Sequence, residues 1–195
     1  AREILHRVGM PVIGTRVAVQ GMGNVGGTAA RLLYNEGAKV VAVSDVSGGL
    51  YCKDGLNIPN ITEYLSKSGN LLKDYKETGV MHISNEELLT ADVDVLIPAA
   101  LENQITEKIA PNVKASIIVE AANGPTTVEA DRILEKNGKI VVPDILANAG
   151  GVVVSYFEWV QNIQSLMWDE GEVNRALEKI MIRAFNEVWD KKNEK

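Results

Sequence analysis

The chain has 195 residues, 46% of them hydrophobic and 24% charged, with a formal net charge of -6. That length suits one large domain, or a domain with an appendage, and is ample for a hydrophobic core. The acidic balance and scattered lysines give no basic face for nucleic acid, and no apolar stretch approaches membrane length. The single cysteine, Cys52, cannot form an internal disulfide, which fits a cytoplasmic protein in a reducing compartment. Cys52 has no neighbouring histidine, and His6 and His82 lack metal-ligand spacing, so neither a thiol nucleophile nor a metal site is expected.

Residues 2–8 read as an amphipathic helix, with Ile4, Leu5 and Val8 on one face and Gly9 closing it. The run 15–27, TRVAVQGMGNVGG, then reads as an apolar strand, a glycine turn and a helix beginning near Asn24. The glycines have separate tasks in such a turn. Gly21 permits the tight bend, Gly23 lets backbone approach a pyrophosphate, and Gly26 lets helix pack on strand. The free N–H groups and dipole of the new helix would face the diphosphate. A GxGxxG run gains weight from a strand before it, a helix after it and an acid about 20 positions on. The acid here is Asp45, ending a second apolar run, 39–44. Its carboxylate can accept both hydroxyl protons of an adenine ribose and would repel a 2′-phosphate, which favours NAD. Ser44, Ser47 and Lys53 keep NADP open as well.

Further along, a helix is expected near 61–68, closed by Gly69. Ser84 and Glu87 have capping-box spacing. Residues 93–97 form a third strand ended by Pro98, and 103–110 a helix. Residues 116–120 form a fourth strand, 127–137 a helix capped by Gly138, and 140–142 a fifth strand ended by Pro143. This alternation predicts an α/β, Rossmann-like, doubly wound and mainly parallel sheet with helices on both faces. Long helices over 151–164 and 172–190 follow as a helical C-terminal extension. The stripe Val173, Leu177, Ile180, Ala184 and Val188 should pack on the sheet or on another domain. Trp159, Trp168 and Trp189 are expected in a core or an interface. The expected division is a helical lead-in over 1–14, a dinucleotide-binding core over 15–150 and C-terminal helices over 151–195.

Each later strand stops in a loop of small and polar residues. These loops carry Ala99 and Ala100, then Asn123, then Asn148, Gly150 and Gly151. Small residues let a flat ring lie against backbone, and asparagine amides can hold a carboxamide or a ribose, although each asparagine also suits a turn or cap.

The motifs GMGNVGG, VSD, PAALEN, EAANGPTT and PDILANAGGVVVSYFEWVQN resemble the coenzyme domain of hexameric glutamate dehydrogenases, over essentially the whole chain. The resemblance implies a dinucleotide fold with one strand opposed to the rest, and the oxidative deamination of L-glutamate to 2-oxoglutarate and ammonia. By the same resemblance Gly21, Gly23, Asn24, Val25 and Gly26 form the pyrophosphate loop and Asp45 accepts the adenosine ribose. Ala99 and Ala100 wall the adenosine, and Asn123 and Asn148 lie near the nicotinamide and its ribose. Val152 and Ser155 shape the glutamate pocket, the Ser155 hydroxyl reaching the γ-carboxylate; a buried hydroxyl bonded to its own helix is the competing reading. The family's catalytic lysine and aspartate have no counterpart here, so no catalytic residue is expected in this chain. It reads as an excised domain whose missing partner is the substrate domain. The family forms homo-hexamers, and this piece alone is expected to be monomeric and inactive. Two alternatives stand beside this reading: the coenzyme domain of a leucine, valine or phenylalanine dehydrogenase, and a non-catalytic NAD-sensing module.

Overall fold

A computed structural model describes residues 1–194. Its strands are buried on both faces. Consecutive residues of β1 (Arg16–Gln20) and β2 (Lys39–Asp45) point to opposite sides of a sheet, yet Val17, Ala18 and Val19 and the run Val40 to Val43 are all inaccessible. Strands of this kind need cover on each side. The helix α2 (Asn24–Asn35) packs on β1 and β2, and the short α4 (Asn85–Leu89) packs on β1, β2 and β3 (Gly48–Tyr51). A core cluster joins Ala18, Val41, Leu96 and Ile118 of the sheet to Leu88 and Leu89 of α4. It also takes in Ala130 and Leu134 of α5 (Val128–Lys136).

The remaining strands are β4 (Met81–Ile83), β5 (Val95–Pro98), β6 (Ile117–Val119) and β7 (Ile140–Val142), and the seven form one sheet in the order β4-β3-β2-β1-β5-β6-β7. The pairs β1–β2, β1–β5, β5–β6 and β6–β7 are parallel. Because β2–β3 and β3–β4 are both antiparallel, β3 alone runs against the others. Between β2 and β5, the chain leaves β1 on one side and later returns on the other. That makes the carboxyl end of β1 the switch point at which a crevice opens.

Other helices are α1 (Arg2–Arg7), α3 (Ile58–Ser66), α6 (Asp144–Ala147), α7 (Gly150–Gln164) and α8 (Glu170–Asn193). The capping box expected at Ser84 and Glu87 is present, with its reciprocal bonds at 3.2 and 2.7 Å, and the carboxylate of Glu87 is held below its ordinary pKa by the bonds it accepts from Ser84 N and Ser84 Oγ. One expectation fails. Residues 103–110 are not helical: Asn103 has φ 54°, and the amides of Gln104 and Ile105 both donate to Pro125 O. Ile105 is fully buried by this extended pairing, and only a 3-10 turn, Ala110–Asn112, follows. The antiparallel pair β3 and β4 occupies residues for which the sequence pattern predicts no element, and β3 is the opposed strand that the family resemblance implies.

The chain divides into two compact units, Ala1–Asp144 and Ile145–Lys195. Within the second, α7 and α8 pack together, Phe157 lying 5.4 Å from Trp168 between ring centroids and Phe185 stacking on Trp189 at 6.0 Å. The stripe on α8 is half-buried from Val173 to Ala184, whereas Val188 is exposed. Trp159 is 58% exposed, so it is no core residue.

Candidate functional site

Three glycines shape the switch point. Gly21 follows β1 with φ +92°, and a Cβ on it would stand 2.9 Å from Ala99 O. At Gly26 a Cβ would fall 1.8 Å from Gly21 O, so helix and loop touch at a distance only glycine allows. Gly23, the N-cap of α2, is different: nothing lies within 4 Å of where its Cβ would be. The first turn of α2, Asn24 to Gly26, carries no acidic residue and its N-cap provides no side-chain acceptor. Its leading N–H groups are therefore free for an anion. Beneath the loop, Ser44 is 2% exposed, and its Oγ accepts from Gly21 N at 3.3 Å.

Asp45 ends β2 beside this loop. Its Oδ1 accepts from Ser47 N at 2.7 Å and from Ser47 Oγ at 2.5 Å, and its Oδ2 accepts from Leu72 N at 2.8 Å. Ser47 Oγ in turn accepts from Lys73 N at 3.0 Å. The carboxylate thus ties the 3-10 turn Leu72–Asp74 to the sheet edge. Each carboxylate oxygen has two lone-pair directions, so Oδ2 keeps one for a hydroxyl donor. Of the three side groups that keep NADP open, Ser44 and Ser47 stay beside Asp45 and Lys53 lies apart. Ser44 serves Gly21, Ser47 is held by Asp45, and Lys53 lies past the far end of β3, next to Cys52, whose amide pairs with Val41 O.

Gly21, Gly23, Asp45, Ala99 and Ala100 line one cleft of about 620 Å³. Its apolar lining includes Val46, Leu65 and Leu101, and its polar lining includes Gln20, Asn70, Asn85 and Gln104. The sequence reading passed over these amides, although a glutamine closing an otherwise apolar strand was the available signal. Asn24, Val25 and Gly26 form the first turn of α2 directly after Gly23 and are not part of that lining.

Asn123 is exposed on the loop after β6, outside that lining. The loop is braced from both sides. Ala121 N and Ala122 N donate to Pro98 O, Gly124 N donates to Asp144 Oδ2 at 2.8 Å, and Asp144 N donates to Glu120 Oε2 at 3.1 Å. Burial pushes the Glu120 carboxyl above its ordinary pKa. The charges of Asp144 and Asp131 add to this, and the Thr126 hydroxyl and Asp144 N–H oppose it. Asn148, Val152 and Ser155 belong to the second unit. Asn148 is half-buried, while Val152 (75% exposed) and Ser155 both lie open on α7, three residues apart. Ser155 is therefore no buried hydroxyl. Among the described residues, no group of three or more His, Cys, Asp or Glu could hold a metal ion, and no helix is long and apolar enough to cross a membrane.

Known proteins resemble this chain in sequence and in fold. The chain is 48% identical over 192 residues to the cryptic catabolic NAD-specific glutamate dehydrogenase GudB of Bacillus subtilis, covering 98% of this chain and 44% of that protein. It is 50% identical over 190 residues to an NADP-specific glutamate dehydrogenase of Halobacterium salinarum, covering 97% and 45%. In structure it resembles the hetero-hexameric glutamate dehydrogenase of Thermus thermophilus in its Leu-bound form. The TM-score is 0.90 at 32% identity, over 99% of this chain and 45% of that one. The chain thus spans somewhat under half the length of the relatives it matches. Residues 1–195 match the profile of the Glutamate/Leucine/Phenylalanine/Valine dehydrogenases, and the chain belongs to that family.

Proposed function

We infer that this chain is the coenzyme-binding part of an NAD(P)-dependent glutamate dehydrogenase, which carries out oxidative deamination of L-glutamate to 2-oxoglutarate and ammonia. One observation carries the reading. In a turn where Cβ atoms on Gly21 and Gly26 would collide with backbone, only Gly23 faces open space, at the mouth of a helix with uncommitted N–H groups. That fits a pyrophosphate. Gly21, Gly23, Asn24, Val25 and Gly26 would hold it, the helix N-terminus offsetting its charge. Asp45 would take a ribose hydroxyl on Oδ2, and Ala99 and Ala100 would wall the adenosine. A 2′-phosphate would meet the Asp45 carboxylate as a like charge, which favours NAD over NADP. The chemistry that a nicotinamide dinucleotide supplies when bound is acceptance of a hydride at its ring.

Asn123 and Asn148 would orient the carboxamide and ribose at that end. On α7, Val152 would line the aliphatic part of glutamate, and Ser155 would donate to its γ-carboxylate. A hydroxyl donor suits glutamate better than leucine, valine or phenylalanine, whose side chains offer it no acceptor. The same pair argues against a sensor that only binds nucleotide. Proton transfer and polarisation of the reacting carbon fall to a lysine and an aspartate in the remainder of the full-length enzyme, a homo-hexamer by the family resemblance, so this chain alone should not turn over.

Calorimetric titration of the chain with NAD and NADP at equal ionic strength tests the reading. Measurable NAD binding with much weaker NADP binding is expected. Comparable binding of both would make the enzyme dual-specific. Silence with both, from a folded sample, would overturn the assignment of the glycine loop.

A further inference from the structure

Three amide side chains from separate segments meet in the cleft. Gln20 closes β1, Asn85 opens α4, and Gln104 lies in the loop after β5. Gln20 is 2% exposed, and its Nε2 donates to Asn85 Oδ1 and to Gln104 Oε1, each at 2.8 Å. An amide nitrogen has two hydrogens, so both are committed. The two receiving amides are oriented as a result. With their carbonyl oxygens turned to Gln20, their NH2 groups point away from it. Among the described residues, Asn85 Nδ2 has only a long contact to Gln104 Oε1 at 3.4 Å, and Gln104 Nε2 has one bond, to Glu102 O at 3.1 Å. Each nitrogen therefore keeps a hydrogen to give.

Gln20 Oε1 is itself buried and, among the described residues, has no hydrogen-bond partner. A half-satisfied amide in a strand end is disfavoured, and an apolar residue of similar size would avoid the penalty. What an apolar residue cannot do is set the direction of two neighbouring amides. Around them, Val46, Leu65 and Leu101 give the cleft apolar walls suited to the faces of a flat ring.

We propose that Gln20 is a positioning residue that turns Asn85 and Gln104 into a hydrogen-bond-donating edge, which meets a ring nitrogen of the purine base of the bound nucleotide. The proposal rests on the coenzyme reading above. It makes recognition of the base depend on a residue that does not touch it. Unsubstituted adenine nitrogens are acceptors, and each can be deleted singly by a C–H.

AMP and its 1-deaza, 3-deaza and 7-deaza analogues, titrated by calorimetry into the 195-residue chain, decide the matter. One analogue should bind roughly five- to tenfold more weakly than AMP, the worth of one hydrogen bond, with the other two near AMP. That deficit should vanish in Gln20→Met and in at least one of Asn85→Leu and Gln104→Leu. A purely structural role for Gln20 would weaken AMP and all analogues alike and leave the deficit in place, which overturns the proposal. So would three analogues that all match AMP in the unaltered chain. Asn85 is exposed and Gln104 half-buried, so if Gln20→Met fails to fold these two variants still decide the question: a deficit that persists in both overturns the proposal. Absence of AMP binding to the folded chain would sink the coenzyme reading itself, whereas AMP binding without a deaza deficit would sink only the amide edge.

Discussion

Replacing Gly26 and Gly23 by alanine, one at a time, separates what the glycine loop does for folding from what it does for binding. At Gly26 the new Cβ would meet Gly21 O at 1.8 Å, so helix and loop must part until the contact reaches at least 3.0 Å. Alanine inside a helix brings back about 1 kcal/mol of propensity over glycine. Overpacking against a well-ordered neighbour costs about 1–3 kcal/mol, and more when, as here, the obstacle is backbone. A net loss of about 2 kcal/mol or more is therefore expected. At Gly23 the space is open and φ is -77°, a conformation alanine adopts freely. As an N-cap exchange it should cost only about 0.5 kcal/mol. Yet the methyl group would stand where the pyrophosphate approaches, so dinucleotide affinity should fall about tenfold or more. Urea unfolding and calorimetric titration of both variants provide the assay. Gly23→Ala with unchanged affinity would refute the pyrophosphate placement. Gly26→Ala with unchanged stability would refute the packing argument.

Asp45→Ala removes the acceptor for Ser47 N and Leu72 N, and should destabilise the chain by about 1–3 kcal/mol and open the 3-10 turn to trypsin after Lys73. It should also narrow the gap between NAD and NADP affinity, and an unchanged ratio would remove Asp45 from coenzyme choice. For Glu120 the folded pKa is raised, so its contribution to stability is complete below the unfolded value of about 4.3 and is lost as pH rises through the folded value. Glu120→Gln, which does not titrate, should therefore gain stability relative to the unaltered chain as pH rises above about 4.3. Parallel pH curves from denaturant unfolding would contradict this. In the full-length enzyme, Ser155→Ala should raise the glutamate KM by about tenfold, the price of one charge-assisted hydrogen bond. Unchanged glutamate kinetics would exclude Ser155 from the substrate pocket.

The parallel half of the fold was legible because its signals are local. The apolar run before Gly21, the capping residue Ser84 and the glycines closing helices all act within a few residues. The segment 103–110 misled for the opposite reason. Its helical pattern is overridden by pairing with Pro125 and Thr126, twenty residues away, which buries Ile105. The β3–β4 pair was hidden by Gly48 and Gly49, poor strand formers. A Cβ on Gly49 would stand 3.0 Å from the Ile83 side chain and 3.2 Å from Val43 O, closer than ordinary contact, which favours glycine there. In the cleft, the glycines and Asp45 were found from spacing. The partners of Asp45 and the amide trio were not, since Leu72, Asn85 and Gln104 reach the site only through the tertiary fold.

The two-residue turn between β2 and β3 also bears on how such a chain can vary over time. Asp45 pairs with Gly48 across Val46 and Ser47, and Leu50, fully buried, follows two positions later. Because strand side chains alternate, adding or removing one residue in this turn would turn Leu50 to the opposite face, where Gly49 packs against Ile83, and lift Asp45 away from Leu72. The exposed stretch 76–79, on the path from that 3-10 turn to β4, carries no such linkage. Drift in loop length among descendants should therefore gather at 76–79 and spare 46–47. A library built to alter this corner of the molecule should exchange the identities of residues 46 and 47 while holding their number at two.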